Sequence, residues 1–129
     1  MEKIELEIEL NASPERIYND WLSSEGHTNM TGGEAISSSE LGSTYTAWDD
    51  YISGTTIETV RNSKIVQKWR TVEFPESAED SILEIHLEGI EGNKTRLKLI
   101  HTNLQKGDGQ KYSDGWEMHY FEPMTEFYK

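Results

Sequence analysis

Ile4, Leu6, Ile8 and Leu10 alternate without a break with Glu5, Glu7 and Glu9. A period of two over that length commits the start of the chain to a strand with one apolar face and one wet face. Such a strand requires a sheet to join and a second layer to cover its apolar side. Composition alone argues less clearly. Leu, Ile, Val and Phe together number 26 of 129 residues, close to the level at which highly charged chains stay disordered. Patterning decides for a folded domain, because the apolar residues recur at strand and helix periods and 13 large aromatics bury much area each. At this length, residues 1–129 form one domain.

The remaining elements follow from local signals. Ser13 before Pro14 marks a helix start, and Ile17, Tyr18, Trp21 and Leu22 give a short amphipathic helix over 14–22. Residues 23–43 are rich in Ser, Gly and Thr and carry Gly32-Gly33, which predicts loops, at most one helical turn, and a strand near 33–38. A strand over Thr44 to Tyr51, a turn at Ser53-Gly54, and strands over Thr55 to Val60 and Lys64 to Val72 read as an antiparallel meander. Leu83, Ile85 and Leu87 share one face of the next strand, and Leu97, Leu99 and His101 share one face of its partner. Gly89, Gly92 and Asn93 make the hairpin loop, and Glu84 and Glu88 oppose Arg96 and Lys98 on the other face. Trp116, Tyr120, Met124 and Phe127 predict a final amphipathic helix, kinked at Pro123. The whole reads as an α+β fold, a curved antiparallel sheet wrapped around the C-terminal helix.

Twelve Lys and Arg against 24 Asp and Glu give a net charge of −12. Such a surface repels phosphate, which excludes nucleic acid and anionic membranes as partners and leaves a basic protein surface, a neutral small molecule or a cation. Cysteine is absent, so disulfides, thiolate metal sites and cysteine nucleophiles are excluded. No apolar run is long enough for a signal sequence or a membrane span, and a cytoplasmic location is expected.

Candidate chemistry is sparse. His27, His86, His101 and His119 lack metal-ligand spacing, and strand parity puts His86 and His101 on opposite faces, so no metal is expected. His101 lies on the apolar face, where it is either a hydrogen-bonded core residue or a polar anchor for a ligand. Asp49-Asp50 and Glu79-Asp80 fall in predicted turns and read as solvated charges; the glycine clusters read as turn punctuation. No nucleophile, base and orienting group share a recognisable spacing, so neither enzyme activity nor a cofactor is expected.

Tyr51-Ile-Ser-Gly54, Lys64-Ile-Val-Gln-Lys-Trp-Arg70 with Pro75 after it, and the ending Gly115-Trp116-Glu-Met-His-Tyr120-Phe-Glu-Pro123 resemble the domain typical of the activator of heat-shock protein 90 ATPase family. The resemblance spans essentially the whole chain. It implies the START-like helix-grip fold, in which the sheet grips a long C-terminal helix and leaves room for a cavity between them. It also implies an association with chaperones and the stress response. Two functions follow as expectations. One is a module binding a small apolar or amphipathic ligand, with Trp48, Trp69, Phe74, Leu83, Ile85, Leu99, Trp116 and Tyr120 as walls and His101 as the polar group. The other is an interaction module acting on a chaperone or another partner with a basic patch.

Overall fold

The computed structural model describes residues 1–129. The alternating segment is strand β1 (Glu2–Leu10), followed by α1 (Pro14–Trp21) and α2 (Ser24–Thr31). Five strands come next: β2 (Thr44–Ala47), β3 (Ile52–Val60), β4 (Lys64–Thr71), β5 (Ser81–Ile90) and β6 (Lys94–Leu104). The chain ends in α3 (Gly109–Trp116), a π-helical turn (Glu117–Phe121) and α4 (Glu122–Phe127). The strands form one sheet in the order β1-β6-β5-β4-β3-β2, with every neighbouring pair antiparallel. The two short helices therefore carry the chain from one sheet edge to the other, and a meander brings it back.

Register explains why so few aliphatic residues suffice. Leu6, Leu99, Ile85 and Ile65 lie opposite one another across four strands, and Ile8, Leu97 and Leu87 form the next row. Each row presents one apolar band to the helices. The predicted hairpin of β5 and β6 is present, with Glu88 opposite Arg96 and bonded to it at 2.9 Å. Lys98 faces Glu7 and His86 in the register rather than Glu84.

Ser13 caps α1 by accepting from the Arg16 backbone N–H, as its sequence predicts. Residues 24–31 depart from expectation by forming a full helix. Ser23 caps its start, Gly32 ends it in the left-handed region at φ 88°, and His27 and Met30 supply its buried side. Ser37 and its neighbours form no strand; Ile36 makes only an isolated bridge to Thr46.

The turn between β2 and β3 lies at Trp48, Asp49 and Asp50, with φ values of 51°, 56° and 73°, rather than at Ser53-Gly54. Gly54 instead sits inside β3, where a Cβ would fall 1.8 Å from the Lys68 carbonyl oxygen. Its absence of side chain serves close strand approach.

In the final helix, the Glu122 N–H bonds back five residues to the Glu117 carbonyl, opening a wide turn just before Pro123, which has no N–H to give. The wide turn holds one extra residue and delays the helical phase. Tyr128 is therefore buried, and Phe127, which periodicity places inside, is exposed.

Candidate functional site

Between the end of β4, the Trp48 turn and α3 with its π turn lies an open groove of about 450 Å³. Its walls carry Trp48, Tyr51, Ile52 and Trp69 from the sheet side and Tyr112, Gly115, Trp116, Met118, His119 and Tyr120 from the helix side; Lys111 and Asp114 complete the rim. Its size falls within the range of small-molecule sites.

Trp48, Trp69, Trp116 and Tyr120, four of the side chains singled out in the sequence, meet at this groove. Phe74, Leu83, Ile85, Leu99 and His101 do not reach it and are buried in the core instead. The reason is register: Leu83, Ile85 and Leu99 occupy the central strands beneath the helix, where the sheet is covered, whereas the groove opens toward the β3–β4 side. Phe74 packs on the edge of Trp69 at 6.1 Å between ring centroids, away from the opening.

His101 is a core histidine. Trp116 donates its indole N–H to Nδ1 at 3.0 Å, so the ring hydrogen sits on Nε2, which donates to Ser81 Oγ at 2.8 Å. Ser81 in turn donates to the Trp69 carbonyl at 2.6 Å. His27, which carried no signal of its own, is the mirror case. Its Nδ1 faces the Trp21 carbonyl at 2.9 Å and must carry the hydrogen, so Nε2 accepts from the Tyr120 hydroxyl at 2.7 Å. Burial pushes His27 down to about 4 and His101 down to about 3, and both rings are neutral at physiological pH. The only feature that could have flagged His27 is the cap pair Ser23 and Gly32, which brackets a helix with this residue on its inner side.

The other polar candidates resolve by position. His86 lies on the wet face of β5 beside Glu84 at 2.9 Å, opposite in facing to His101, and His119 stands at the groove rim against Trp48. Asp49 and Asp50 are exposed in the turn, and Asp49 accepts from the Glu34 N–H. Asp80 is not a free loop charge: Arg70 holds it at 2.7 Å while also bonding the Ala78 and Pro75 carbonyls, which clamps the loop between β4 and β5.

Three details set the character of the groove. Glu73 spans its end, accepting from Tyr51 on the sheet side and from Lys111 on α3 at 2.5 Å. Lys111 and Tyr51 hold the Glu73 carboxyl below its ordinary value, and burial with the Glu73 bond pushes the Tyr51 hydroxyl up to about 12. Gly115 is the second detail. A Cβ there would meet nothing within 4 Å, so the glycine leaves the groove open. Third, Gly33 lets the Trp48 ring lie flat against the backbone, where a Cβ on residue 33 would stand only 2.5 Å from that ring. The Trp48 indole N–H is enclosed there without a partner.

Residues 11–129 match the protein family described as Activator of Hsp90 ATPase homolog 1-like protein. No curated protein sequence matches the chain. Among solved structures, an HSP90 activator from Plasmodium falciparum superposes with a TM-score of 0.82 at 23% identity, covering 93% of this chain and 91% of that one. The Aha1 dimer from Colwellia psychrerythraea gives 0.81 at 19% identity, covering 99% and 96%. CalU16 from Micromonospora echinospora gives 0.80 at 18% identity, covering 98% and 76%. At these identities the likeness establishes the fold, an open antiparallel sheet gripping a C-terminal helix.

Proposed function

The chain belongs to the Activator of Hsp90 ATPase homolog 1-like family, and from that membership we propose that it is a binding domain for a small apolar or amphipathic molecule. The observation that carries this reading is the aromatic groove of about 450 Å³, kept open at Gly115 rather than filled by a side chain. Aromatic walls with polar groups confined to the rim suit a ligand whose body is apolar and whose end is wet. The reading assigns binding rather than catalysis. The two hydroxyl–imidazole pairs near the groove, Ser81–His101 and Tyr120–His27, are buried, and their remaining hydrogen bonds are already committed to Trp69 and Trp116 and to the Trp21 carbonyl. Native mass spectrometry of protein purified from its own cells tests the proposal. A retained small molecule supports it, whereas a ligand-free mass together with no tryptophan fluorescence change across a hydrophobic library overturns it.

A second reading has its own support: a fold neighbour is an HSP90 activator, and the net charge of −12 favours encounter with a basic protein surface. Under it, the domain acts as a chaperone-associated interaction module. Retention of the host chaperone in a pull-down at low salt, lost at high salt, supports this reading. No retention at low salt removes it.

A further inference from the structure

The groove's charge and hydrogen-bonding capacity are uneven, and the imbalance points to one ligand class. Six aromatic rings, Trp48, Tyr51, Trp69, Tyr112, Trp116 and Tyr120, line it. Their polar ends are mostly turned away: the Tyr51 hydroxyl bonds Glu73, the Tyr112 hydroxyl pairs with Thr71 at 2.9 Å, the Tyr120 hydroxyl bonds His27, and the Trp116 N–H bonds His101. What is left for a ligand is ring surface, mainly that of the half-buried Trp48 and Tyr51 backed by the buried Trp69, Tyr112, Trp116 and Tyr120, and aromatic faces carry negative partial charge. The Trp48 indole N–H has no partner but is enclosed, so an anionic group would find few accessible donors there.

The formal charges lean the same way. Lys111, the only lysine or arginine of the lining, is neutralised by Glu73 at 2.5 Å. Asp114, the only carboxylate of the lining, has no cationic partner; its side chain accepts only the Gln110 amide at 2.8 Å. Aromatic faces plus an uncompensated carboxylate form the usual receptor for an alkylammonium ion. The −12 charge of the whole molecule adds long-range attraction of the same sign.

We propose that the groove selects cationic amphiphiles, molecules with an apolar body and a tertiary or quaternary ammonium head, held against the aromatic faces with Asp114 at the rim. This rests on the groove being a ligand site, and the test separates the two claims. Three probes share a 4-phenylbutyl body and differ in the end group: trimethylammonium, the neutral isosteric tert-butyl, and sulfate. Each is titrated against the intact protein by tryptophan fluorescence and calorimetry at about pH 8, above the ordinary histidine range, and about 0.15 M salt. The trimethylammonium probe is expected to bind about tenfold more tightly than the tert-butyl probe, with the sulfate weakest. Asp114→Asn should shrink the gap between the first two about threefold. Glu5→Gln, which removes the same charge from the wet face of β1 away from the groove, should leave the gap unchanged. Equal or tighter binding of the tert-butyl probe overturns the cation preference while leaving the ligand site standing. An equal loss in both variants also overturns it, because the preference would then belong to the overall field. If none of the three probes binds, the cation preference falls, and the ligand site falls with it only where native mass spectrometry also gives a ligand-free mass.

Discussion

His27 and His101 are held in opposite tautomers by partners of fixed polarity: a carbonyl can only accept and an indole N–H can only donate. Truncating such a partner leaves a buried atom unsatisfied. Trp116→Phe keeps most of the ring but strips His101 Nδ1 of its donor, and should lower stability by about 1–3 kcal/mol in urea midpoints. Trp116→Ala also empties a core position and should lose about 3–5 kcal/mol. An unchanged midpoint in the Phe variant would show that the bond is not made. The pair also sets a pH dependence. Both folded-state values lie below the ordinary 6.5, so the unfolded chain binds more protons and stability falls as pH falls below that value, down to about 4 for His27 and about 3 for His101. Together they should remove roughly 2–3 kcal/mol per pH unit between about pH 6 and pH 4. Glu2 and Glu73, whose values are lowered from the ordinary 4.5 by the Gly107 and Gly109 N–H groups and by Lys111 respectively, act only below that, so the upper part of the window reports the histidines. A midpoint flat from pH 7 to 5 would contradict the neutral, buried assignment.

Elements are legible in the sequence wherever one local signal specifies them. The alternation of β1, the Ser13-Pro14 start of α1 and the Gly92-Asn93 turn between β5 and β6 each do so and stand where expected, although Gly89, read as part of that loop, pairs with Thr95 inside β5. Elements specified by tertiary contact are not. The helix α2 carries weak helix formers and a stripe of Gly26, His27, Met30 and Thr31 that resembles no apolar face until Tyr120 and Trp21 are packed on it. The π turn is invisible to a period of 3.6, which is why periodicity puts Phe127 inside while Tyr128 takes that place in the fold. The turn at Trp48 to Asp50 is similar, since nothing local predicts three consecutive left-handed residues without glycine. That turn carries a testable strain. Asp50, exposed at φ 73° and without a side-chain hydrogen bond, should gain up to about 1 kcal/mol as Asp50→Gly, read as a raised thermal midpoint. A lowered midpoint would show that the turn is not strained there.

Across the whole molecule, a sparse aliphatic core is completed by an aromatic cluster that runs from Trp21 through Trp116 and Trp69 to Phe74. One side of that cluster is sealed by α1 and α2, and the other opens as the groove. The sequence points to aromatic residues on facing elements, and four of them line the opening. It does not separate wall from core, because Leu83, Ile85, Leu99 and His101 have the same facing as Trp69 and differ only in whether the helix lies over them. Gly115 decides the matter at the level of the fold, since it is the place where the helix declines to fill the space. The most direct measurement is therefore binding of the phenylbutyl probes to Gly115→Leu beside the wild type, with urea midpoints measured for both. Leucine is a better helix former than glycine and enters open space, so the midpoint should hold or rise by up to about 1 kcal/mol while tryptophan-detected binding is lost. Undiminished binding in a folded Gly115→Leu protein would contradict the groove as the ligand site.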